Sequence, residues 1–203
     1  MSSITPFLWF DTDLAAPVEF YTSVFPGTSV GDVQAAGDGG PIFTATITLC
    51  GQQIMLLNGG PMHAGFTEAI SLFVSVGTQA EVDDLWERLL AGGGQPGQCG
   101  LLKDRYDLSW QVVPSMLGTV LGSPDRRRAQ QVMDAMLQMG KLDIAVLQAA
   151  YDRCQEAHPC VSCCYKIMVR SVRHGPDAGM VRGRHPSAHR VPDRAQPRTH
   201  PGR

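Results

Sequence analysis

The apolar positions along this chain change period several times, and each change marks an element. Over residues 42–49, Phe43, Ala45, Ile47 and Leu49 alternate with Thr44, Thr46 and Thr48. A period of two rich in β-branched residues predicts a strand with one buried and one wetter face. Cys50-Gly51 turns the chain into a second strand over 53–57, so the pair reads as a hairpin, and residues 37–41 mark a turn upstream. The run 4–10 is short, apolar and aromatic and reads as a strand. Pro6, Leu8 and Phe10 share one of its faces and Phe7 and Trp9 the other. Between these strands Leu14, Val18, Tyr21 and Phe25 recur at helical spacing. Pro17 falls in the first turn of that helix, where a missing N–H does least harm, and Pro26-Gly27 closes it.

After the loop "NGGPMHAG" the order starts again. Ile70, Leu72, Val74 and Val76 alternate through "AISLFVSV", a strand; Val82, Leu85, Trp86 and Leu89 then form the stripe of an amphipathic helix, stopped by Gly92-Gly93-Gly94. Short strands are expected around 100–103 and over 108–113. The two halves share the order strand, helix, strands at a separation of about 65 residues without residue identity, a repeat of pattern only. From Ser123 the chain turns helical: Ser123 is read as the N-cap, Pro124 as the first helical residue and Asp125 as complementing the dipole. Ala129, Val132, Met133, Met136 and Leu137 make the apolar face. Gly140 breaks the helix before a last one over 142–151.

Composition divides the chain near Asp152. Of 203 residues, 1–152 carry 7 Lys/Arg against 16 Asp/Glu, a net of −9, whereas 153–203 carry 10 against 3, a net of +7. The last quarter also holds five of the six His and four of the six Cys. An apolar fraction of 43% suffices for a real core, in one ordinary domain or two small ones. No apolar run approaches the roughly 20 residues of a membrane helix, and "MSSITPFLWF" lacks the pattern of a secretory leader. With only Cys50 and Cys99 in the body, a reducing cytoplasm without a disulfide framework is expected.

The blocks "ITPFLWFD", "EFYTSVFPGTSV", "QIMLLNGGP", "FTEAIS" and "GQCGLLKDRYDLSWQVVP" resemble the PhnB-like branch of the vicinal-oxygen-chelate superfamily, which includes glyoxalase I, extradiol dioxygenases and bleomycin-resistance proteins. "DRRRAQQVMDAMLQMGKLDIAVLQAA" resembles the helical extension of the same branch. The resemblance covers roughly residues 4–151. It implies an α+β fold: two βαβββ modules, roughly 4–58 and 68–113 within residues 1–122, pairing into a curved mixed sheet around a cup, usually within a homodimer. A helical extension over 123–151 and a basic tail over 152–203 complete the expected organisation.

Some relatives carry the name 3-demethylubiquinone-9 3-methyltransferase. Methyl transfer from S-adenosylmethionine usually needs a Gly-rich loop after a first strand, and the Gly-rich runs here, 37–40 and 92–94, follow an edge strand and a helix. The superfamily's metal enzymes place His, Gln or Glu on the inward strands of both modules. The corresponding stretches here offer no ligand in "TPFLWF", then Asn58, Glu68 and Gln111. Amides are weak donors where a divalent ion wants carboxylate, imidazole or thiolate, and His63 sits in a Gly/Pro loop. The expectation is therefore a small-molecule cup without a strongly bound metal, lined by Trp9, Asn58, Glu68, Ser109 and Gln111. The alternative is a metal-dependent lyase or dioxygenase-like enzyme, with Glu68 and Gln111 as remnants of the metal shell.

Each candidate has a structural and a functional reading. Gln111 either satisfies its amide locally or orients a ligand; Ser109 and Val113 share its face and Trp110 the opposite one. Trp9 reads as aromatic core or ligand platform. Glu68 is a general base if buried, since desolvation raises a carboxyl, and otherwise a solvated strand-end residue. Lys103, Asp104, Arg105 and Asp107 read as a solvated turn with local ion pairs. Cys99 has no evident His partner. In the tail, Cys160 and Cys163 form one CxxC with His158 nearby, without the second half of a zinc pattern. The tail's composition predicts disorder, and without interleaved aromatics nucleic acid is not an expected partner. Because the resemblance and the composition both change near residue 152, the stretch from about 153 reads as frame-shifted or read-through translation.

Overall fold

The computed structural model describes residues 2–62 and 65–156, which lie in one compact unit. The expectations for His63 and for the tail beyond residue 156 fall outside the described residues, whereas residues 152–156, expected to open the tail, continue the last helix. The chain runs β1 (Phe7–Phe10), α1 (Ala15–Val24), β2 (Ser29–Ala35), β3 (Ile42–Leu49) and β4 (Gln52–Asn58). The order then repeats as β5 (Leu72–Val76), α2 (Gln79–Leu90), β6 (Gln95–Pro96), β7 (Leu101–Lys103) and β8 (Ser109–Pro114). Each module forms a mixed four-stranded sheet with the same topology, β1-β4-β3-β2 in sheet A and β5-β8-β7-β6 in sheet B. The first strand of each module runs parallel to the last, and the other neighbours are antiparallel. The repeat of pattern is thus a repeat of strand order, with β6 and β7 much shorter than β2 and β3.

Over β3 the alternation holds from Ala45 onward, whereas Phe43 at the start of the same face is exposed. Ala45, Ile47 and Leu49 are buried, whereas the threonines between them are half-exposed. In α2 the stripe Val82, Leu85, Trp86 and Leu89 is buried in full. A capping box starts that helix: Thr78 Oγ1 accepts from the Glu81 N–H and the Glu81 carboxylate accepts from the Thr78 N–H. Side chains from the helix-bearing faces of both sheets and from both helices join one hydrophobic core, including Leu8, Phe10, Tyr21, Ile47, Leu56, Leu89 and Trp110. Phe25, the residue that caps the C-terminus of α1, stacks on Trp110 of β8 at 5.2 Å, so the modules share aromatic packing rather than strand hydrogen bonds.

Three helices follow: α3 (Ser115–Leu121), α4 (Arg126–Met136) and α5 (Ile144–Glu156). Leu117, Val120, Val132, Leu142 and Leu147 form a second buried cluster with Val113 of β8. The short helix α3, with Leu117 and Val120 one turn apart and buried, has no counterpart in the periodicity reading. The cap of α4 also differs. Asp125, not Ser123, is its N-cap, its carboxylate accepting from the Arg128 N–H at 3.2 Å. Ser123 Oγ instead accepts from the Asp125 N–H, holding the turn before the helix. The extension is tied to α2 by Gln79, which donates to the Leu142 carbonyl and accepts from the Ile144 N–H.

Candidate functional site

Each sheet has a second face that no helix of its module covers. On sheet A the register aligns Phe7 with Met55 and Trp9 with Leu57, flanked by Thr46 and Thr44 of β3. Trp9 is 48% exposed, so the aromatic-core reading of this residue is corrected: its neighbours Leu8 and Phe10 take the core positions and the pleat turns Trp9 outward. Asn58 pairs with Phe10 and therefore lies on the other face from Trp9. Its Oδ1 accepts from the Gly60 N–H at 3.3 Å, closing the turn after β4.

On sheet B this face carries Phe73 and Ser75 of β5, Ser109 and Gln111 of β8, and Leu101 and Lys103 of β7, while Val113 of β8, on the same face, is covered by the helical extension. Trp110 takes the opposite, buried face. Gln111 stands between Phe73 and Leu101, and its Nε2 donates to Ser71 Oγ at 2.7 Å. One N–H of its amide thus has a neighbouring side chain as acceptor. Next to it, Lys103 and Ser109 are direct cross-strand partners. Lys103 Nζ lies 2.8 Å from a carboxylate oxygen of Glu68, whose side chain is 78% exposed. The hydrogen bond from Lys103 holds the Glu68 carboxyl below its usual range and raises the lysine in turn. The burial that would make Glu68 a base near neutrality is absent, and its ion pair with Lys103 moves it the other way.

Glu68, Lys103 and Ser109 line a pocket of about 360 Å³ together with Gln95, Pro96, Gly97, Gln98, Leu101 and Leu102. Ser109 is only 4% exposed, and its buried Oγ has no hydrogen-bond partner among the described residues. A buried hydroxyl without a partner is uncommon, since buried polar groups are nearly always satisfied. Of the sequence candidates the structure brings Glu68 and Ser109 together in this pocket; Trp9, Asn58 and Gln111 are not among its lining residues. The β6 residues and Gln98 were not among the candidates, because a two-residue strand carries no periodic signal.

The charged cluster after β7 departs most from expectation. Asp104 is 1% exposed rather than solvated. Its carboxylate accepts from Tyr21 Oη, Trp110 Nε1 and the Tyr106 N–H, each at 2.8 Å, and from the Leu108 N–H at 3.2 Å. Burial pushes its pKa up, and the four hydrogen bonds oppose that shift without cancelling it. Arg105 reaches the Ala91 carbonyl with two donors and lies over the Phe20 ring at 4.4 Å. Asp104 thus joins the modules, and Arg105 reaches Phe20 across them, while Arg105 and Asp107 remain exposed as the solvated-turn reading expects.

The donor set decides how a metal or cofactor would fare. Among the described residues, no group of three or more His, Cys, Asp or Glu converges, and the open face of sheet B offers an engaged amide, a hydroxyl and an ion-paired carboxylate. These do not fit a divalent centre. For S-adenosylmethionine, the link from β1 to α1 is Asp11-Thr12-Asp13-Leu14, without glycine, so the backbone approach such a cofactor requires is not built there. Cys99 sits at positive φ with its N–H donated to the Met139 carbonyl at 2.7 Å.

Comparison with known proteins agrees with this architecture. Residues 2–113 match the family model described as 3-demethylubiquinone-9 3-methyltransferase. The PhnB protein of Bacillus cereus is 28% identical, with a TM-score of 0.52 over 56% of this chain and 100% of that one. A protein of Pseudomonas aeruginosa is 19% identical over 56% of this chain and 98% of that one, with a TM-score of 0.48. The fosfomycin resistance protein of Listeria monocytogenes, complexed with Mn(II) and sulfate, is 15% identical over 60% and 96%, with a TM-score of 0.44. No curated protein matches the chain. The family match spans more than half of the sequence and both modules share one strand order, so this chain belongs to the 3-demethylubiquinone-9 3-methyltransferase family, the PhnB-like branch of the vicinal-oxygen-chelate superfamily.

Proposed function

We propose that the protein binds a small organic molecule at the open face of sheet B, without a strongly bound metal, and either holds it or transforms it there. The observation that carries this reading is the pocket of about 360 Å³ whose lining joins Lys103 and Glu68 to Ser109, a residue with a buried hydroxyl that has no partner among the described residues. Its volume falls in the range of small-molecule sites, and apolar walls with few polar groups are their usual composition. Gln111, two residues along the same face, would extend the polar lining.

A homodimer completes the proposal. β1 and β5 are edge strands of their sheets, and the open faces expose Phe7 and Trp9 on one and Phe73 on the other. Exposed aromatic side chains beside unpaired strand edges favour a partner, and a second copy covering them would close the open faces into the curved cup expected of the superfamily. Trp9 would then enter the same site from the other module. Among the described residues no helix is long and apolar enough to cross a membrane.

A thermal-shift panel of metals and small metabolites on the full chain tests the function. A ligand that binds only the folded state raises the midpoint by mass action. The expected outcome is a rise with an organic metabolite and none with divalent ions. One tightly held divalent ion per chain, lost in Gln111→Ala, would overturn the reading in favour of a metal-dependent enzyme.

A further inference from the structure

The donors lining the pocket on sheet B indicate what kind of molecule it takes. Leu101, Lys103 and Ser109 share the open face, and Lys103 stands directly across the strand pair from Ser109. Directly paired cross-strand residues have Cβ atoms about 5 Å apart. A single oxygen-bearing group between them can accept from both the ammonium and the hydroxyl.

Glu68 already demonstrates half of this arrangement, since its carboxylate accepts from Lys103 at 2.8 Å. Its side chain is largely in water, and an exposed ion pair contributes little to holding it there. The Ser109 hydroxyl, in contrast, is buried and has no acceptor among the described residues. Glu68 therefore satisfies Lys103 from the solvent side and leaves the inner donor unmet.

We propose that this pocket is a carboxylate-binding site: a small organic acid with an apolar body displaces Glu68 from Lys103, its carboxylate accepting from Lys103 Nζ and Ser109 Oγ while its body lies along the exposed Leu101 side chain. The displaced Glu68 swings into water, acting as a tethered competitor. This assignment rests on the small-molecule reading above and adds the ligand's chemical class.

Benzoate and its neutral isostere benzamide are suitable probes, titrated into the full chain while backbone amide shifts are followed by NMR. Benzoate is expected to shift the amides of Gly97, Gln98, Lys103 and Ser109 saturably, with benzamide about ten-fold weaker, as loss of a charge-assisted hydrogen bond implies. Ser109→Ala and Lys103→Met weaken benzoate more than benzamide, and Lys103→Met narrows the gap between the two probes. Glu68→Gln, at an exposed position that the fold does not depend on, removes the competitor and tightens benzoate several-fold. Equal binding of the two probes, or weaker benzoate binding in Glu68→Gln, overturns the carboxylate assignment and leaves the small-molecule site standing. No shift of these amides with either probe overturns the assignment together with the site.

Discussion

Tyr21 Oη donates to Asp104 Oδ2 at 2.8 Å, joining a helix of the first module to the loop before the last strand of the second across 83 positions of sequence. Trp110 Nε1 donates to the same oxygen, and Phe25 stacks on the Trp110 ring. One carboxylate therefore accepts from side chains of both modules at the centre of their shared aromatic packing.

Removing the acceptor costs more than removing one donor. Tyr21→Phe leaves Asp104 with three donors and is expected to destabilise the chain by about 1 kcal/mol, the typical net contribution of a hydrogen bond, or somewhat more for a charged acceptor. Asp104→Ala strands Tyr21 Oη and Trp110 Nε1 in the core, and about 3 kcal/mol is expected. Urea denaturation of both variants checks the order. A smaller loss in Asp104→Ala than in Tyr21→Phe would refute it.

Stability should also depend on pH through this carboxylate. Burial raises the folded-state pKa of Asp104 above its unfolded value, so the folded chain holds the proton more tightly. The stabilisation from protonation is then complete below the unfolded carboxyl pKa and is lost as pH rises through the raised folded value. Glu68, Glu81 and Asp83 are shifted down, and their contributions run the opposite way, present above the unfolded pKa and lost on acidification. Subtracting the pH profile of Asp104→Asn from that of the parent isolates the first effect. The difference should decline with rising pH across the window above the unfolded carboxyl pKa; a flat difference would count against it.

Gly100 adopts φ +82°, and a Cβ there would stand 2.8 Å from the Val112 carbonyl oxygen and 3.0 Å from Leu142. Its N–H donates to the Gly140 carbonyl at 2.8 Å, linking β7 to the helical extension. Gly100→Ala combines a left-handed backbone with a steric clash and is expected to cost more than about 1 kcal/mol. Gly27→Ala, at similar φ but in open space, is expected to cost less. Thermal unfolding of the pair separates clash from backbone strain.

Phe73 is 61% exposed on the open face of sheet B, so Phe73→Lys should leave the fold of the single chain intact. In the proposed homodimer that position is covered, and a buried unpaired lysine is costly. Sedimentation equilibrium is expected to give twice the 21.9 kDa chain mass for the parent and a single chain mass for Phe73→Lys. A parent that sediments as a monomer would remove the dimer from the proposal.

The sequence by itself determined the elements whose side chains alternate or recur over enough residues to be counted. Residues 42–49 formed the strand their threonines announced, Val82 to Leu89 became the buried stripe of α2, and Ser109 and Gln111 took the face opposite Trp110. Those outcomes depend on a local period meeting a single buried face. Tertiary structure alone decided the rest. Asp104 reads as a solvated turn residue because its neighbours are charged, and only the arrival of Tyr21 from far upstream buries it. Glu68 and Lys103 meet, and Ser109 Oγ is left without a partner, because β7 pairs with β8 and brings three separated stretches to one pocket. Periodicity records which way a side chain points; which partner stands opposite depends on contacts that sequence neighbours do not encode.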